Sequence, residues 1–299
     1  MSDHDGLIPD LRLLTDRFRA SQRLDDERRG ERANLASSPL FGKVLFIVGS
    51  PRSGTSWLQQ IVATHPYLAT GCESHLFCEG LSGLWELDRV RKTQMGLRTW
   101  VTRPDFIRAV RAMTDEIFAA ALDAAPGSTH ILEKTPHHET SAAARMAEVY
   151  PEATYVHIIR DGYSSASSMR DLWPDSEHGR SFASAAAMWR DGVMSAREAL
   201  KDLNYLEFRY EDVVADPGAH LAMIFSAAGL PFDDVLIAAA VELGRKPINV
   251  RPDDQRSGLE KWRQLDRRTM REIEATSGEL LKELGYLRVA RVRGFFSRR

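Results

Sequence analysis

Between Gly49 and Gly54 the sequence reads GSPRSG and continues TSWL, directly after the apolar run VLFIVG (44–49). The two glycines have the spacing of the phosphate-binding loop G-x-x-x-x-G-K-[ST], which joins a strand to a helix. Glycine lets the backbone approach an anion, and the amides at the helix N-terminus point at it. The lysine that reaches the β- and γ-phosphates of a triphosphate is missing, because Thr55 follows Gly54. Arg52 lies inside the loop and supplies charge in another form, since a guanidinium grips phosphate or sulfate oxygens in pairs. The loop therefore suits an anion whose end is not a metal-bound γ-phosphate. An ordinary strand–turn–helix connection is the bland alternative.

A second anion site is suggested by TYVHIIR (154–160), DG and the serine-rich start YSSASSM. An arginine at the carboxyl end of a strand lies where ligands sit in open α/β sheets. Here Arg160 is followed by hydroxyls and helix amides, the ingredients of an anion pocket. Two such sites fit a nucleotide with phosphates at both ends. A salt bridge from Arg160 to Asp161 or another acid is the alternative, and Asp161 could be a magnesium-binding acid after an apolar strand, though Arg160 intervenes. Cys72, His75 and Cys78 have a C-x-x-H-x-x-C pattern, but a structural zinc site wants four ligands and no cysteine remains. No metal is expected.

Taken in order, these segments resemble the sulfotransferase family that uses 3′-phosphoadenosine 5′-phosphosulfate (PAPS). PRSGTSW (51–57) is similar to the family's 5′-phosphosulfate loop, which implies donor contacts from Arg52, Ser53, Gly54, Thr55, Ser56 and Trp57. TYVHIIRDGYSSASSM (154–169) looks like its 3′-phosphate segment, with Arg160 and Ser168 in the matching places. LEFRYEDVVADP (206–217) resembles the segment that carries an adenosine-contacting tyrosine in tyrosylprotein sulfotransferases, here Tyr210; a plain core tyrosine is the alternative. RSGLEKWRQLD…LLKELGY (256–286) resembles the C-terminal segment of bacterial sulfotransferases, and from it Arg256 and Lys261 are carried over as donor contacts.

By analogy with phosphoryl transfer, moving a sulfuryl group is mostly positioning plus charge stabilisation. It needs a base for the acceptor proton and cations for the leaving phosphate. The resemblance implies Glu73, in GCESHLF, as that base, because tyrosylprotein and several bacterial sulfotransferases carry a catalytic glutamate in a similar G-x-E setting. His75 is the second candidate. ILEKTPHH (131–138) matches the Lys-x-Pro segment of the tyrosylprotein branch at Lys134–Pro136, which implies that Lys134, with Arg52, stabilises the leaving oxygen. The cytosolic branch's K-T-H histidine fits less well, with Pro136 in its place and His137 one step on. Glu133 reads as a salt-bridge partner of Lys134 or of an arginine. RKPINV (245–250) resembles the tyrosylprotein branch's K-P-V-N stretch, yet the serine upstream of it is replaced by Ala240, leaving Arg245, Lys246 or Ser257 as substitutes. The implied activity is PAPS-dependent sulfation of a sugar, lipid, phenol, peptide or polyketide hydroxyl. A P-loop kinase or nucleoside triphosphatase is the alternative enzyme, and a non-catalytic nucleotide-binding or scaffold protein the alternative class.

The elements that must position these residues follow from periodicity. Apolar strands are expected at 44–49, 129–133, 154–160 and 204–210, with a short strand or extended piece at 68–74. Helices are expected at 56–65, 106–125 within a mostly helical 78–128, 137–150, 162–173, 181–202, 217–228, 232–243 and 266–284. Their alternation predicts an α/β fold, a P-loop-type parallel sheet flanked by helices with helical insertions. The expected division is an N-terminal arm (1–40) with one amphipathic helix around Leu7, Leu11, Leu14 and Phe18, an α/β domain (41–287) and a solvated basic tail (288–299).

The 299 residues are 43% hydrophobic and 27% charged, which excludes a disordered chain, and a net charge of −2 gives no nucleic-acid footprint. Only seven of the 40 basic residues are lysine; codon bias explains most of that skew, with a share left for anion binding. Two cysteines make no disulfide framework, and no apolar run approaches the roughly 18 residues of a membrane span. The start MSDHDGLIPDLRLL has no signal core, so a cytoplasmic location is expected. The acceptor's walls are expected from 76–128 and 171–190, with Trp85, Trp100 and Trp173 read mainly as packing residues.

Overall fold

VLFIV folds into β1 (Val44–Val48), buried along its whole length as a strand covered on both faces must be. The computed structural model describes residues 33–89, 100–135, 142–177, 179–246 and 261–287. Four further strands lie parallel to β1: β2 (Leu68–Thr70), β3 (His130–Lys134), β4 (Thr154–Ile159) and β5 (Asn204–Arg209). The sheet order is β2-β3-β1-β4-β5. The chain thus lays β2 and β3 on one side of β1 and then β4 and β5 on the other. Ligands in open parallel sheets sit at the carboxyl ends of the strands beside such a reversal.

The helices are α1 (Thr55–Val62), α2 (Ser82–Arg89), α3 (Arg103–Asp123), α4 (Ala142–Val149), α5 (Gly162–Leu172) and α6 (Phe182–Leu200). They continue as α7 (Tyr210–Ala215), α8 (Pro217–Ala227), α9 (Asp234–Gly244) and α10 (Arg267–Glu283). A π-helical turn (Leu76–Gly80) precedes α2 and a 3-10 turn (Lys261–Gln264) precedes α10. Strand alternation sends Val44, Phe46 and Val48 to one face, where Phe77, Tyr150 and Tyr155 join them. Phe46 stacks on Tyr155 with ring centroids 5.4 Å apart and meets Phe77 and Tyr150 edge-on. Leu45 and Ile47 face the other way, onto Leu58 and Ile61 of α1 and Ile224 and Phe225 of α8. A third apolar cluster joins Tyr163 of α5, Trp189 of α6 and Leu281 of α10.

The parallel α/β architecture agrees with the sequence expectation, and two boundaries differ. The short strand or extended piece expected over 68–74 is a strand only to Thr70, where its pairing with β3 ends at Leu132. Tyr210, expected to end β5, instead opens α7. Pairing with β4 finishes at Arg209, and Glu211 and Asp212 in the first turn favour a helix start there. The expected amphipathic helix around Leu7–Phe18, residues 137–141 of the expected helix and the tail 288–299 lie outside the described residues. No helix among the described residues is long and apolar enough to cross a membrane.

Residues 33–43 are tied to the body by a buried ion network. Leu35 and Leu40 enter the Phe46 cluster, and Ser38 Oγ donates to Asp115 at 2.6 Å. Arg111, almost wholly buried, donates to Asp115 at 2.9 Å, to Glu152 at 2.7 Å and to the Val149 carbonyl at 2.8 Å. Removing one member of such a group strands its partners' charge. We predict that Arg111→Met lowers the unfolding free energy by about 3–5 kcal/mol. Urea unfolding checks this; an unmoved midpoint contradicts it.

Candidate functional site

The loop after β1 leaves the sheet pressed against β4: a Cβ on Gly49 would lie 2.7 Å from the Ile158 carbonyl oxygen. Ser50 Oγ donates to the Trp189 carbonyl at 3.1 Å, fixing the loop to α6. The turn then needs left-handed backbone at Arg52 (φ 68°) and Gly54 (φ 95°). A Cβ on Gly54 would stand 2.4 Å from the Tyr210 ring, so that ring lies directly against the loop backbone. Trp57 meets Tyr210 edge-on with centroids 5.7 Å apart, and its indole N–H donates to the Gly244 carbonyl at 2.9 Å. The two aromatics are thereby set side by side at the loop.

Among the described helices, α3, α5, α6, α8, α9 and α10 are capped by Thr102, Asp161, Ser181, Asp216, Asp233 and Asp266, whose side chains accept first-turn amides. α1 starts at Gly54 with no side-chain cap and no acid in its first turn. Its amides are left for an anion, which the dipole also favours. Two hydroxyls agree with that reading. Ser53 Oγ and Ser165 Oγ are buried with no hydrogen-bond partner among the described residues. A buried hydroxyl left unsatisfied costs on the order of 1–3 kcal/mol, so that of Ser53, within the loop itself, points to an acceptor that a ligand supplies.

The second expected anion segment meets the first. Arg160, at the end of β4, donates through Nη1 to the Arg52 carbonyl at 2.9 Å and lies 5.3 Å from the centre of the Tyr210 ring. Arg52 Nε donates to Ser168 Oγ at 2.9 Å. Burial pushes the Arg160 pKa down, against the opposing effects of Tyr210, Glu211 and Asp161, and Arg52 adds to the lowering. Two positive side chains acting on one another at this loop favour a bound anion. The Asp161 carboxylate caps α5, accepting from Tyr163 N at 3.1 Å and Ser164 Oγ at 2.9 Å.

Three supports of this corner escaped the sequence reading. Trp189 donates its indole N–H to the Arg160 carbonyl at 3.1 Å. Glu211 accepts from the Asp161 amide at 3.1 Å and from the Tyr286 hydroxyl at 2.6 Å. No local pattern links positions 161, 189, 211 and 286; only the packing of α5, α6 and α10 does.

At the end of β3 the third group assembles. The Lys134 side chain is 4% exposed, and its ammonium donates to Ser56 Oγ of α1 at 3.1 Å and to Glu73 Oε1 at 2.5 Å. His75 Nε2 lies 3.4 Å from Glu73 Oε2, and the Glu73 side chain is 35% exposed. Glu73, His75 and Lys134 are therefore brought together as expected. Glu133 is not: its carboxylate is met by hydroxyls, from Ser74 Oγ at 2.7 Å and Thr135 Oγ1 at 2.5 Å. Burial raises the Glu133 pKa, opposed first by the bonds from Thr135 and Ser74.

Other candidates fall elsewhere. Lys261 Nζ pairs with Asp171 Oδ2 at 3.0 Å, toward the far end of α5. Arg256 and Ser257 lie outside the described residues. Ala240 is buried in α9, and Arg245 pairs with Glu242 at 2.9 Å. Cys72 is exposed and Cys78 buried, and no metal-suited group of three or more His, Cys, Asp or Glu occurs among the described residues. Trp85 packs in the Phe46 cluster and Trp173 against the Trp189 cluster, whereas Trp100 is 86% exposed.

A model of the group described as the Sulfotransferase family matches residues 45–234, more than half of the chain. Protein-tyrosine sulfotransferase A of Caenorhabditis elegans is 27% identical over 203 residues, covering 64% of this chain and 51% of that protein. Nodulation protein NoeE of Sinorhizobium fredii is 26% identical over 281 residues, covering 81% of this chain and 66% of that protein. The chain thus spans about half to two thirds of the length of these curated relatives. The sulfotransferase domain of the Synechococcus PCC 7002 olefin synthase shares the fold, with a TM-score of 0.52 at 22% identity, over 78% of this chain and 93% of that one.

The Gly54–Tyr210 contact yields a prediction. Gly54→Ala forces a Cβ into the ring and strains a left-handed residue, which should cost about 1–3 kcal/mol of stability. Adding Tyr210→Ala should recover the steric part. Urea unfolding of the single and double variants checks both, and a Gly54→Ala protein as stable as the parent contradicts the contact.

Proposed function

The chain belongs to the sulfotransferase family, and we propose that it transfers a sulfuryl group from PAPS to an acceptor hydroxyl. The acceptor oxygen forms a bond to sulfur as the bond from sulfur to the bridging phosphate oxygen breaks. The electron pair of that bond leaves on adenosine 3′,5′-bisphosphate, and the acceptor proton goes to a base. The observation that carries this reading is the Lys134 ammonium, shared between Ser56 of the phosphate-loop helix and the Glu73 carboxylate. One cation there touches both the donor's cradle and a partly exposed carboxylate able to take a proton.

In this reading the uncapped start of α1, Ser53, Gly54, Thr55 and Ser56, with Arg52, hold the 5′-phosphosulfate. Arg160 and Ser168 hold the 3′-phosphate, and Trp57 and Tyr210 flank the adenine. The absence of a lysine after Gly54 agrees with a donor that brings no γ-phosphate and no magnesium. Lys134 and Arg52 stabilise the charge that grows on the leaving oxygen. Glu73 is the general base, with His75 beside it as the second candidate.

Two outcomes are expected. Glu73→Gln lowers turnover by about 10²–10⁴-fold, the usual share of general-base catalysis, while calorimetric binding of adenosine 3′,5′-bisphosphate is retained. Turnover is read with sulfur-labelled PAPS on a panel holding a tyrosyl peptide, a phenol and a sugar; undiminished turnover removes Glu73 as base. Separately, adenosine 3′,5′-bisphosphate at about 100 times its Kd stabilises the protein by about 2.7 kcal/mol without magnesium, and ATP with magnesium does little. A thermal-shift series giving the reverse favours a kinase or nucleoside triphosphatase.

A further inference from the structure

Glu133, Lys134 and Thr135 project alternately from the end of β3. Lys134 reaches Ser56 and Glu73 on one side. On the other, Glu133 and Thr135 meet the backbone and side chain of the same short segment. Glu133 Oε1 accepts from Ser74 Oγ at 2.7 Å and from Thr135 Oγ1 at 2.5 Å. Thr135 Oγ1 in turn accepts the His75 amide at 3.2 Å. Residues 73–75 are therefore gripped from both sides of β3, by Lys134 at Glu73 and by the Glu133–Thr135 pair at Ser74 and His75.

This segment needs such a grip. β2 has ended at Thr70, so no strand pairing fixes 71–75. His75 must also take a left-handed backbone (φ 50°) before the π-helical turn begins. The anchor is set in an apolar surround: the register puts Glu133 opposite Phe46, on which Phe77 of the following turn packs edge-on at 5.9 Å. A buried carboxylate here is costly, and its hydroxyl partners oppose that cost. Charge-assisted bonds are stronger than those a neutral acceptor makes, which gives the acid a reason to be there.

We propose that Glu133 is a positioning residue, which through Ser74 and Thr135 holds Glu73 and His75 in the geometry that turnover needs. Its functional half rests on the reading of Glu73 as the general base. Glu133 touches neither donor nor acceptor in this scheme. Its effect passes through the loop.

The test uses Thr135→Val, which keeps the side-chain shape and deletes both hydroxyl bonds, with Ser74→Ala and Glu133→Asp beside it. Hydrogen exchange reads the grip itself. The His75 amide should exchange at least about tenfold faster in Thr135→Val, with α1 amides unchanged. Turnover with the acceptor found in the panel above should fall about fivefold to tenfold, while the Kd for adenosine 3′,5′-bisphosphate stays within about twofold. In a Glu73→Gln background the same substitution should cost nothing more, since a misplaced base that is already absent loses nothing. Glu133→Asp should retain more turnover than Glu133→Ala; where Glu133→Ala fails to fold, Thr135→Val carries the result. Unchanged exchange, a loss that adds fully to that of Glu73→Gln, or parallel loss of nucleotide binding overturns the proposal. A Glu73→Gln protein with full turnover overturns the base reading instead, and the exchange result still reports whether the grip exists.

Discussion

Burying an ammonium and a guanidinium at the ends of the two strands that flank β1 costs several kcal/mol per ion unless each finds opposite charge and hydrogen bonds. Lys134 and Arg160 are both in that position, on the two strands that flank the reversal of the sheet. Much of the surrounding structure answers this cost. Lys134 takes the Glu73 carboxylate and the Ser56 hydroxyl. Arg160 takes the Arg52 carbonyl, the face of Tyr210 and the field of Glu211 and Asp161. Glu211 is itself held by Tyr286 from the far end of the chain, so the C-terminal segment after α10 is bound to the charge problem at β4.

The two answers are not equivalent. Lys134 is neutralised by a carboxylate that is more than a third accessible to solvent, and therefore to a second molecule. Arg160 is buried beside the loop that carries Arg52, whose positive charge opposes its own. With the uncapped start of α1 and the orphan hydroxyl of Ser53, this makes one corner of the sheet a demand for an anion. The neighbouring corner holds a carboxylate pinned between a lysine and a histidine. A group-transfer enzyme needs that division: a site that binds charge beside a site that moves a proton.

The parts visible in the sequence were those that act over a few residues. The phosphate-type loop could be read because glycine, serine and arginine carry its geometry within GSPRSG, and the parallel sheet because apolar runs recur between helical stretches. Arg160 stands out in the sequence because it closes an apolar strand, whereas Ser168 stands out only through the family resemblance. The end of β2 was missed because pairing length, not composition, decides it. Tyr210 looked like strand because its neighbours alternate, yet two acids after it turn the chain into a helix. Lys261 resembled a donor contact, and its pairing with Asp171 depends on how the 3-10 turn docks on α5. The sequence suggests an ion pair from Glu133 to Lys134 or an arginine, yet adjacent strand residues point to opposite faces, and its hydroxyl partners lie two residues on and in a distant loop.

That last misreading bears on how the two corners are coupled. β3 is the strand that lies between β1, which leads into the Gly49–Gly54 loop, and β2, which leads into the segment with Glu73. Any shift of β3 along its axis would move Lys134 away from Ser56 and carry Ser74 and His75 with Thr135. The tripeptide Glu133–Lys134–Thr135 therefore fixes the spacing between Ser56 of α1 and residues 73–75 by strand register, and register in a sheet buried on both faces cannot slip by one residue without turning every side chain to the wrong face.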